Sequence, residues 1–343
     1  MQQKTRESKL ICYSVPSSKG LSKIEQLLIE GVNWHKVLSE RKFAPLLPIL
    51  YFTLNRIPLT EHRTPILVPS EVLSELKQKY LQNKARNIMY LSELHKILET
   101  FAKQNIETII LKGISFLNTI YQDIGVREIT DIDMLIHKED LRAVDKLLRE
   151  LGYSNDDKYS EANKTNHTTY FKGVILDIHW DIVNKSSAVQ KYVFKLNIDE
   201  LWQNTMPAQI ASSQSLILTP EYLLIYLSFH LLKEAYHNIK WIADIYQLIE
   251  KYDIEWKKVI SLVQRAKISK PVFYALYYAK SLFNANVPQF VLDELHSPHR
   301  IEQWIFRLPS RPLSLWRLII YLASIESKID KLKALAKLSL PRI

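Results

Sequence analysis

This sequence of 343 residues contains one cysteine, Cys12. A single cysteine cannot form an internal disulfide, whereas proteins of oxidising compartments often carry several. Long apolar runs are missing too: the apolar stretch at 318–323 is far shorter than the roughly 18 residues of a membrane span. The N-terminus is polar, so no secretory signal is expected. These absences predict a cytoplasmic protein without a membrane span.

Glycine is also scarce, with six residues in the whole chain, so each is expected to serve a particular backbone conformation. Hydrophobic residues make up 47% and charged residues 24%, which is typical of a globular protein. At about 100–200 residues per domain, the length predicts two or three domains.

Positive charge is in excess, at +10, and is concentrated near the C-terminus. From Arg300 to Ile343 there are nine Lys or Arg residues against three acidic ones. A solvated face of terminal helices is the favoured interpretation. Contact with nucleic acid, an anionic membrane surface or an acidic partner is the alternative.

The spacing of apolar residues divides the chain into three regions. Residues 1–104 are predicted to be a helical N-terminal region, 105–205 a strand-containing core, and 206–343 a helical C-terminal domain. The core begins with a β-branched run at 107–111, which is typical of a buried strand. Gly113 follows it and allows the backbone to approach a phosphate, while Ser115 adds a hydroxyl.

Two further predicted strands carry carboxylates on one face. In 131–136, Asp131 and Asp133 alternate with apolar residues, so they share a face. In 174–182, after a hairpin turn at Lys172 and Gly173, Asp177 and His179 also share a face. Successive polar residues on one side of a strand indicate that this side lines a site.

These residue types fit a metal-dependent phosphate site. Nucleotidyl transfer uses two Mg²⁺ ions roughly 3.5–4 Å apart, and Mg²⁺ prefers carboxylate ligands. The pattern predicts Asp131, Asp133 and Asp177 as metal ligands and catalytic residues, with Asp177 also a candidate proton acceptor. The predicted nucleotide-binding residues are Lys112, Gly113, Ser115, Arg127 and His179.

Each of these residues also has a structural interpretation. Asp131 and Asp133 fit an exposed strand edge, and His179 fits a hydrogen-bonded position beside a strand. Lys112 fits a lysine at the end of a strand, and Arg127 fits a structural partner of Glu128 or Asp123. His230 and Asp244, in the C-terminal helices, fit packing and capping residues.

Three motifs in order carry a resemblance to a known family. They are Leu-Lys-Gly at 111–113, Arg127-x-x-x-Asp131-Ile-Asp133, and Leu-Asp-Ile-His-Trp at 176–180. The sequence is similar to the DNA polymerase β nucleotidyltransferase superfamily, most of all to its branch of uncharacterised bacterial nucleotidyltransferase-like proteins. His230 and the Trp241-Ile-Ala-Asp244 segment resemble the pattern of that branch, so the likeness covers roughly 20–290.

The resemblance implies an α+β fold in which a small mixed or antiparallel sheet of four or five strands is flanked by two helices. It implies Mg²⁺ and a nucleoside triphosphate such as ATP as ligands. The implied activity is transfer of a nucleoside monophosphate to an unidentified acceptor, which is a small molecule, a peptide or protein, or RNA. A non-catalytic nucleotide- or partner-binding module and a toxin-like enzyme that modifies tRNA are the alternatives. The chain has Lys112 and Gly113 where the superfamily usually has Gly-Ser.

Overall fold

Seven short strands form one mixed sheet in the middle of the chain. The structure is a computed structural model that describes residues 5–15, 20–56, 68–121, 123–155, 166–184, 187, 189–296 and 314–339. The strands are β1 (Thr108–Ile110), β2 (Ile132–Ile136), β3 (Ser154–Asn155), β4 (His167–Phe171), β5 (Ile175–His179), β6 (Thr205–Ile210) and β7 (Ser213–Leu218).

The strand order across the sheet is β3-β4-β5-β2-β1-β7-β6. β2 lies between β1, to which it is antiparallel, and β5, to which it is parallel. In the β2–β5 register, Asp133 is opposite Asp177 and Leu135 is opposite His179. Because opposite residues on neighbouring strands share a face of the sheet, the register brings the acidic side chains together.

Most helices come before or after the strand region in the sequence. Those before β2 are α1 (Arg6–Ser14), α2 (Leu21–Ile29), α3 (Trp34–Ser39), α4 (Leu47–Leu54), α5 (Ser70–Ala102) and α6 (Phe116–Thr119). Those within the strand region are α7 (Leu141–Glu150), α8 (Gln190–Val193) and α9 (Ile198–Gln203). The C-terminal ones are α10 (Pro220–Lys233), α11 (Ile239–Lys251), α12 (Trp256–Ala266), α13 (Ser269–Phe283), α14 (Gln289–Leu295), α15 (Ser314–Ser324) and α16 (Lys328–Ser339).

The two faces of the sheet contribute to different hydrophobic cores. On one face, Ile132, Met134 and Ile136 pack in a core with α5 and α7, for example with Leu94 and Leu148. The opposite face contributes Ile109 and Leu135 to a larger core that joins the N-terminal helices to α10–α14. The C-terminal helices therefore cover the face on which Asp133 and Asp177 lie.

The long helix α5 and the start of α10 follow the predicted sequence signals. The apolar spacing from Ser70 onward predicts a long helix, and α5 runs for 33 residues. Thr219 is the N-cap of α10 and Pro220 its first residue, as the Thr-Pro-Glu pattern predicts. Of the helices in the described part of the chain, none combines the length and apolar character that a membrane span needs.

The α+β prediction is confirmed, but the sheet is larger than the four or five strands that the resemblance implied. The additional width includes the hairpin β6–β7, to which the sequence analysis assigned no strands. β7 pairs with β1 through Ile109 and Leu216, so the sheet extends beyond residue 205. The division of the chain at 104 and 205 stays a prediction.

Candidate active site

Asp133 and Asp177 form the centre of the candidate site. They are opposite each other on β2 and β5, and Asp133 is almost fully buried at 3% exposure. Asp177 is half-buried, and its Oδ1 accepts a hydrogen bond of 2.6 Å from the hydroxyl of Thr169 on β4. Asp131, just before β2, has a side chain that is 31% exposed, so the site opens to solvent on its side.

His179 lies beside the two carboxylates. Its Nε2 is 3.3 Å from Oδ1 of Asp133, and its ring stacks on His167 of β4 at a centroid distance of 4.9 Å. The other ring nitrogen, Nδ1, is buried and has no hydrogen-bond partner in the described part of the chain. A buried ring nitrogen without a partner needs an explanation, and a bound ligand is one.

Lys112 is the main cation of the site. Its Nζ is 2.5 Å from Oδ2 of Asp133 and 3.3 Å from Oδ2 of Asp131, and the residue is only 4% exposed. The ammonium group also lies 5.8 Å from the centroid of the Trp241 ring on α11. The sequence analysis predicts a triphosphate contact for Lys112, whereas the structure places its charge directly on the carboxylates.

Burial and these charges shift the titration of the cluster. Burial alone raises the pKa of Asp133, but Lys112 and His179 outweigh it and hold this pKa well below its usual range. The pKa of Lys112 is raised, because Asp133 and Asp131 outweigh its burial. Burial and the charge of Asp133 raise the pKa of Asp177, while burial lowers the pKa of His179. At neutral pH the Lys112–Asp133 contact is therefore an ion pair beside a neutral imidazole.

Helices α10 and α11 cover the site on the side away from the sheet. His230 on α10 packs on Trp241 at a centroid distance of 4.0 Å, and its Nδ1 is buried without a partner among the described residues. Burial, together with Lys112 and Lys233, lowers the pKa of His230 well below its usual value. Burial and Lys112 also lower the pKa of Lys233 to about 8. The C-terminal helices thus add nitrogen-bearing side chains to the site.

Gly113 and Ser115 form a tight turn next to the carboxylates. Gly113 has a φ of +64°, a conformation that favours glycine, and an added Cβ would lie 3.6 Å from Nη1 of Arg127. Ser115 is buried at 2% exposure. The apolar spacing at 114–121 predicts a helix, and the structure has one 3₁₀ turn there, Gly113–Ser115, followed by the four-residue α6.

A family model for uncharacterised nucleotidyltransferases matches residues 30–284, which is most of the chain. The chain belongs to this family. No curated protein matches the chain in sequence.

Two solved structures are similar to this chain. The antibiotic-resistance factor ANT(2'')-Ia is 15% identical, with a TM-score of 0.39, over 56% of this chain and 95% of its own. An antigenic nucleotidyltransferase-like protein from Paracoccidioides brasiliensis is 14% identical, with a TM-score of 0.33, over 60% of this chain and 95% of its own.

Arg127 forms a buried ion pair with a residue of the C-terminal helices. Its Nε and Nη2 donate hydrogen bonds of 2.9 and 2.7 Å to the two carboxylate oxygens of Asp244 on α11. The hydroxyl of Tyr121 donates to the same carboxylate at 2.9 Å. Arg127 therefore fixes the loop before β2 to the C-terminal helices. Its predicted phosphate contact stays a prediction, and the sequence analysis did not foresee its partner.

The donor atoms near the carboxylates fit a divalent cation. Asp133, Asp177 and His179 each offer a ligand atom, and these atoms lie within 4.8 Å of one another. Two carboxylates and one imidazole are ordinary ligands of divalent metal ions. The sequence analysis predicts Asp131 as a ligand, whereas this group contains His179 instead. The orphaned Nδ1 of His179 is consistent with a ligand at this position. The individual roles of the site residues stay predictions.

Proposed function

We propose that this protein is a metal-dependent nucleotidyltransferase, which transfers a nucleoside monophosphate from a nucleoside triphosphate to an acceptor. The acceptor is a small molecule, a peptide or protein side chain, or an RNA end, and ATP with Mg²⁺ is the first pair to try. Family membership supports the class of reaction. The observation that carries the proposal is the β2–β5 register, which sets Asp133 opposite Asp177 and puts His179 next to them.

Asp133, Asp177 and His179 are the residues that would hold a divalent ion. When bound, such an ion neutralises charge on the phosphates and lowers the pKa of a coordinated oxygen nucleophile. The chain itself supplies an anionic cluster of three carboxylates, balanced in part by Lys112. Gly113, Arg127 and Ser115 lie at the turn where the triphosphate is proposed to bind.

The proposed reaction forms one bond and breaks one. The acceptor oxygen or nitrogen attacks the α-phosphorus, and the bond from that phosphorus to the oxygen that bridges to the β-phosphorus breaks. Diphosphate leaves with the electron pair of the broken bond. The acceptor gives up its proton to Asp177, whose carboxylate is oriented by the hydrogen bond from Thr169 to Oδ1.

A non-catalytic nucleotide-binding module is the second candidate. It is favoured by the position of Lys112, because a buried ammonium pairs with Asp133 and Asp131, two of the carboxylates that turnover needs. The two candidates share the fold and differ only in the release of diphosphate. A tRNA-modifying enzyme is one form of the first candidate, with RNA as the acceptor.

Asp177→Asn is the sharpest test of turnover. The amide oxygen of asparagine can still accept the Thr169 hydrogen bond, whereas Asp133→Asn would remove the charge that pairs with the buried Lys112. With radiolabelled triphosphates, a divalent ion and a cell lysate as the acceptor source, we expect labelled products and diphosphate from the wild-type protein. Asp177→Asn should lower the rate about 10²–10⁴-fold.

Glu139→Gln is the matched control, because this carboxylate is exposed and lies outside the site. The control should retain the wild-type rate. Equal rates for Asp177→Asn and wild type would contradict the proposed role of the cluster. Nucleotide binding without diphosphate release from any acceptor would favour the binding module.

A further inference from the structure

We infer that Lys112 takes the place of the second cation of a two-metal site, so that the active site binds one divalent ion. This inference rests on the proposed function, since it concerns the cations of the same site. It departs from the two Mg²⁺ ions predicted from the sequence.

The first step of the argument is the position of the ammonium group. Nζ of Lys112 contacts one oxygen of Asp131, at 3.3 Å, and one oxygen of Asp133, at 2.5 Å. A metal ion held by these two oxygens would need to lie at roughly 2.0–2.6 Å from each of them. The ammonium group and such an ion cannot occupy this place together.

The second step concerns the two oxygens of Asp133, which have different neighbours. Oδ2 contacts Lys112, whereas Oδ1 is 3.3 Å from Nε2 of His179. The group of Asp133, Asp177 and His179 that suits a metal lies on the His179 side. Asp133 thus connects two adjacent cation positions, of which Lys112 fills one.

The third step is the burial of Lys112. The residue is only 4% exposed, and its ion pairs in the described part of the chain are those with Asp131 and Asp133. Because separating a buried ammonium from its carboxylates would leave charges uncompensated, the pair is expected to persist when the site is loaded.

The charges of the site support a single ion as well. Asp131, Asp133 and Asp177 carry three negative charges when ionised. Before a triphosphate binds, one divalent ion and the ammonium of Lys112 supply three positive charges, whereas two divalent ions in addition to Lys112 would leave the cluster with excess positive charge. A neutral cluster is favoured around the buried side chains of Lys112 and Asp133.

The experiment counts ions on the full-length protein. Mn²⁺ is titrated calorimetrically, with and without one equivalent of a non-hydrolysable nucleoside triphosphate, and every Mn²⁺ ion in the complex is counted. Electron paramagnetic resonance then distinguishes an isolated ion from two ions close enough to couple. We expect one ion per chain and the spectrum of an isolated ion in both conditions.

Two coupled ions in the wild-type protein would overturn the inference and leave the proposed function intact. No ion at all would overturn both the inference and the metal dependence. One ion in a protein that transfers no nucleotide would support the inference and contradict turnover. The count needs no variant, so it holds even if a substitution at the site prevents folding.

Lys112→Met tests directly whether the ammonium of Lys112 takes the place of a metal ion, because methionine keeps much of the side-chain length and removes the charge. We expect this variant to bind two Mn²⁺ ions with a coupled spectrum, since Asp131 and Asp133 become free to bridge. Lys146→Met, at a lysine that is 78% exposed on α7, is the matched control and should bind one. A count of one in Lys112→Met would contradict the inference.

Discussion

The two faces of the central sheet differ in what holds them together. On β2, Ile132, Met134 and Ile136 point into an apolar core with α5 and α7. Between them, Asp133 points to the opposite face, where it meets Lys112 and His179. Because successive residues of a strand alternate, a single short strand serves both stability and the candidate chemistry.

The difference teaches that the polar face depends on specific partners. An apolar face tolerates imperfect packing at a moderate cost, whereas each buried charge needs a particular counter-charge. Lys112 is matched with Asp133, and Arg127 is matched with Asp244. The following predictions are ordered from the largest expected effect to the smallest.

Among these substitutions, Asp244→Ala should lower the free energy of unfolding most. It leaves the buried guanidinium of Arg127 without its carboxylate, which costs about 3–5 kcal/mol in the free energy of unfolding. Urea denaturation monitored by circular dichroism measures this cost. Glu234→Ala breaks an exposed pair with Arg317 and should cost no more than about 1 kcal/mol. Similar losses in the two variants would mean that the buried pair has no special weight.

Ile136→Ala should destabilise the apolar face without altering the site. The side chain is fully buried, and removing it leaves a cavity that costs about 2–5 kcal/mol in the free energy of unfolding. The same denaturation experiment measures it. The folded fraction should keep the wild-type affinity for Mn²⁺, and a loss of affinity would show that the two faces are not independent.

A divalent ion should stabilise the folded protein through the polar face. At a Mn²⁺ concentration 100 times the dissociation constant, the free energy of unfolding should rise by about 2.7 kcal/mol. Thermal denaturation with and without Mn²⁺ measures this rise. Asp177→Asn should lose most of it, while Ile136→Ala should show the same rise as wild type. Stabilisation that is unchanged in Asp177→Asn would place the ion elsewhere.

Burial of His230 should make the free energy of unfolding depend on pH. Its folded-state pKa is lowered, so the unfolded state binds a proton more readily and stability falls as the pH drops below about 6.5. This one group contributes up to about 1.4 kcal/mol per pH unit. His230→Gln should lower the slope between about pH 6.5 and 5 by that amount. His35→Gln, at an exposed histidine, should keep the wild-type slope, and equal slopes in all three proteins would contradict the prediction.

The sequence was sufficient to predict the strands of the site and the faces of β2. Alternation correctly assigns Asp133 and Leu135 to one face and Ile132 and Met134 to the other. The hairpin turn at Gly173, with a φ of +67°, was also predicted from its glycine. These features are local, so the pattern of a few neighbouring residues determines them.

The hairpin β6–β7 was missed because its turn lacks the usual residues. Ala211 and Ser212 adopt φ values of +50° and +64°, which normally call for glycine or asparagine. Pro207 within β6 also argues against a strand. Without those signals, the segment resembles an ordinary loop.

The charge partners could not be predicted, because they lie far apart in the chain. Arg127 and Asp244 are separated by 117 residues, and no local pattern links them. The direction of Lys112 depends on the close approach of β1 and β2 and on the Trp241 ring, which belongs to α11. Sequence reasoning therefore predicted the carboxylates of the candidate site and left their counter-charges open.

The pairing of β1 with β7 has a consequence for the order in which the molecule is made. A nascent chain that has not yet reached Leu216 lacks the strand that borders β1, and one that has not reached Asp244 leaves Arg127 without its carboxylate. Contacts between such distant residues form slowly and close large loops. During synthesis, the carboxylates therefore emerge from the ribosome well before the helices that enclose them, and a closed site is a late product of folding.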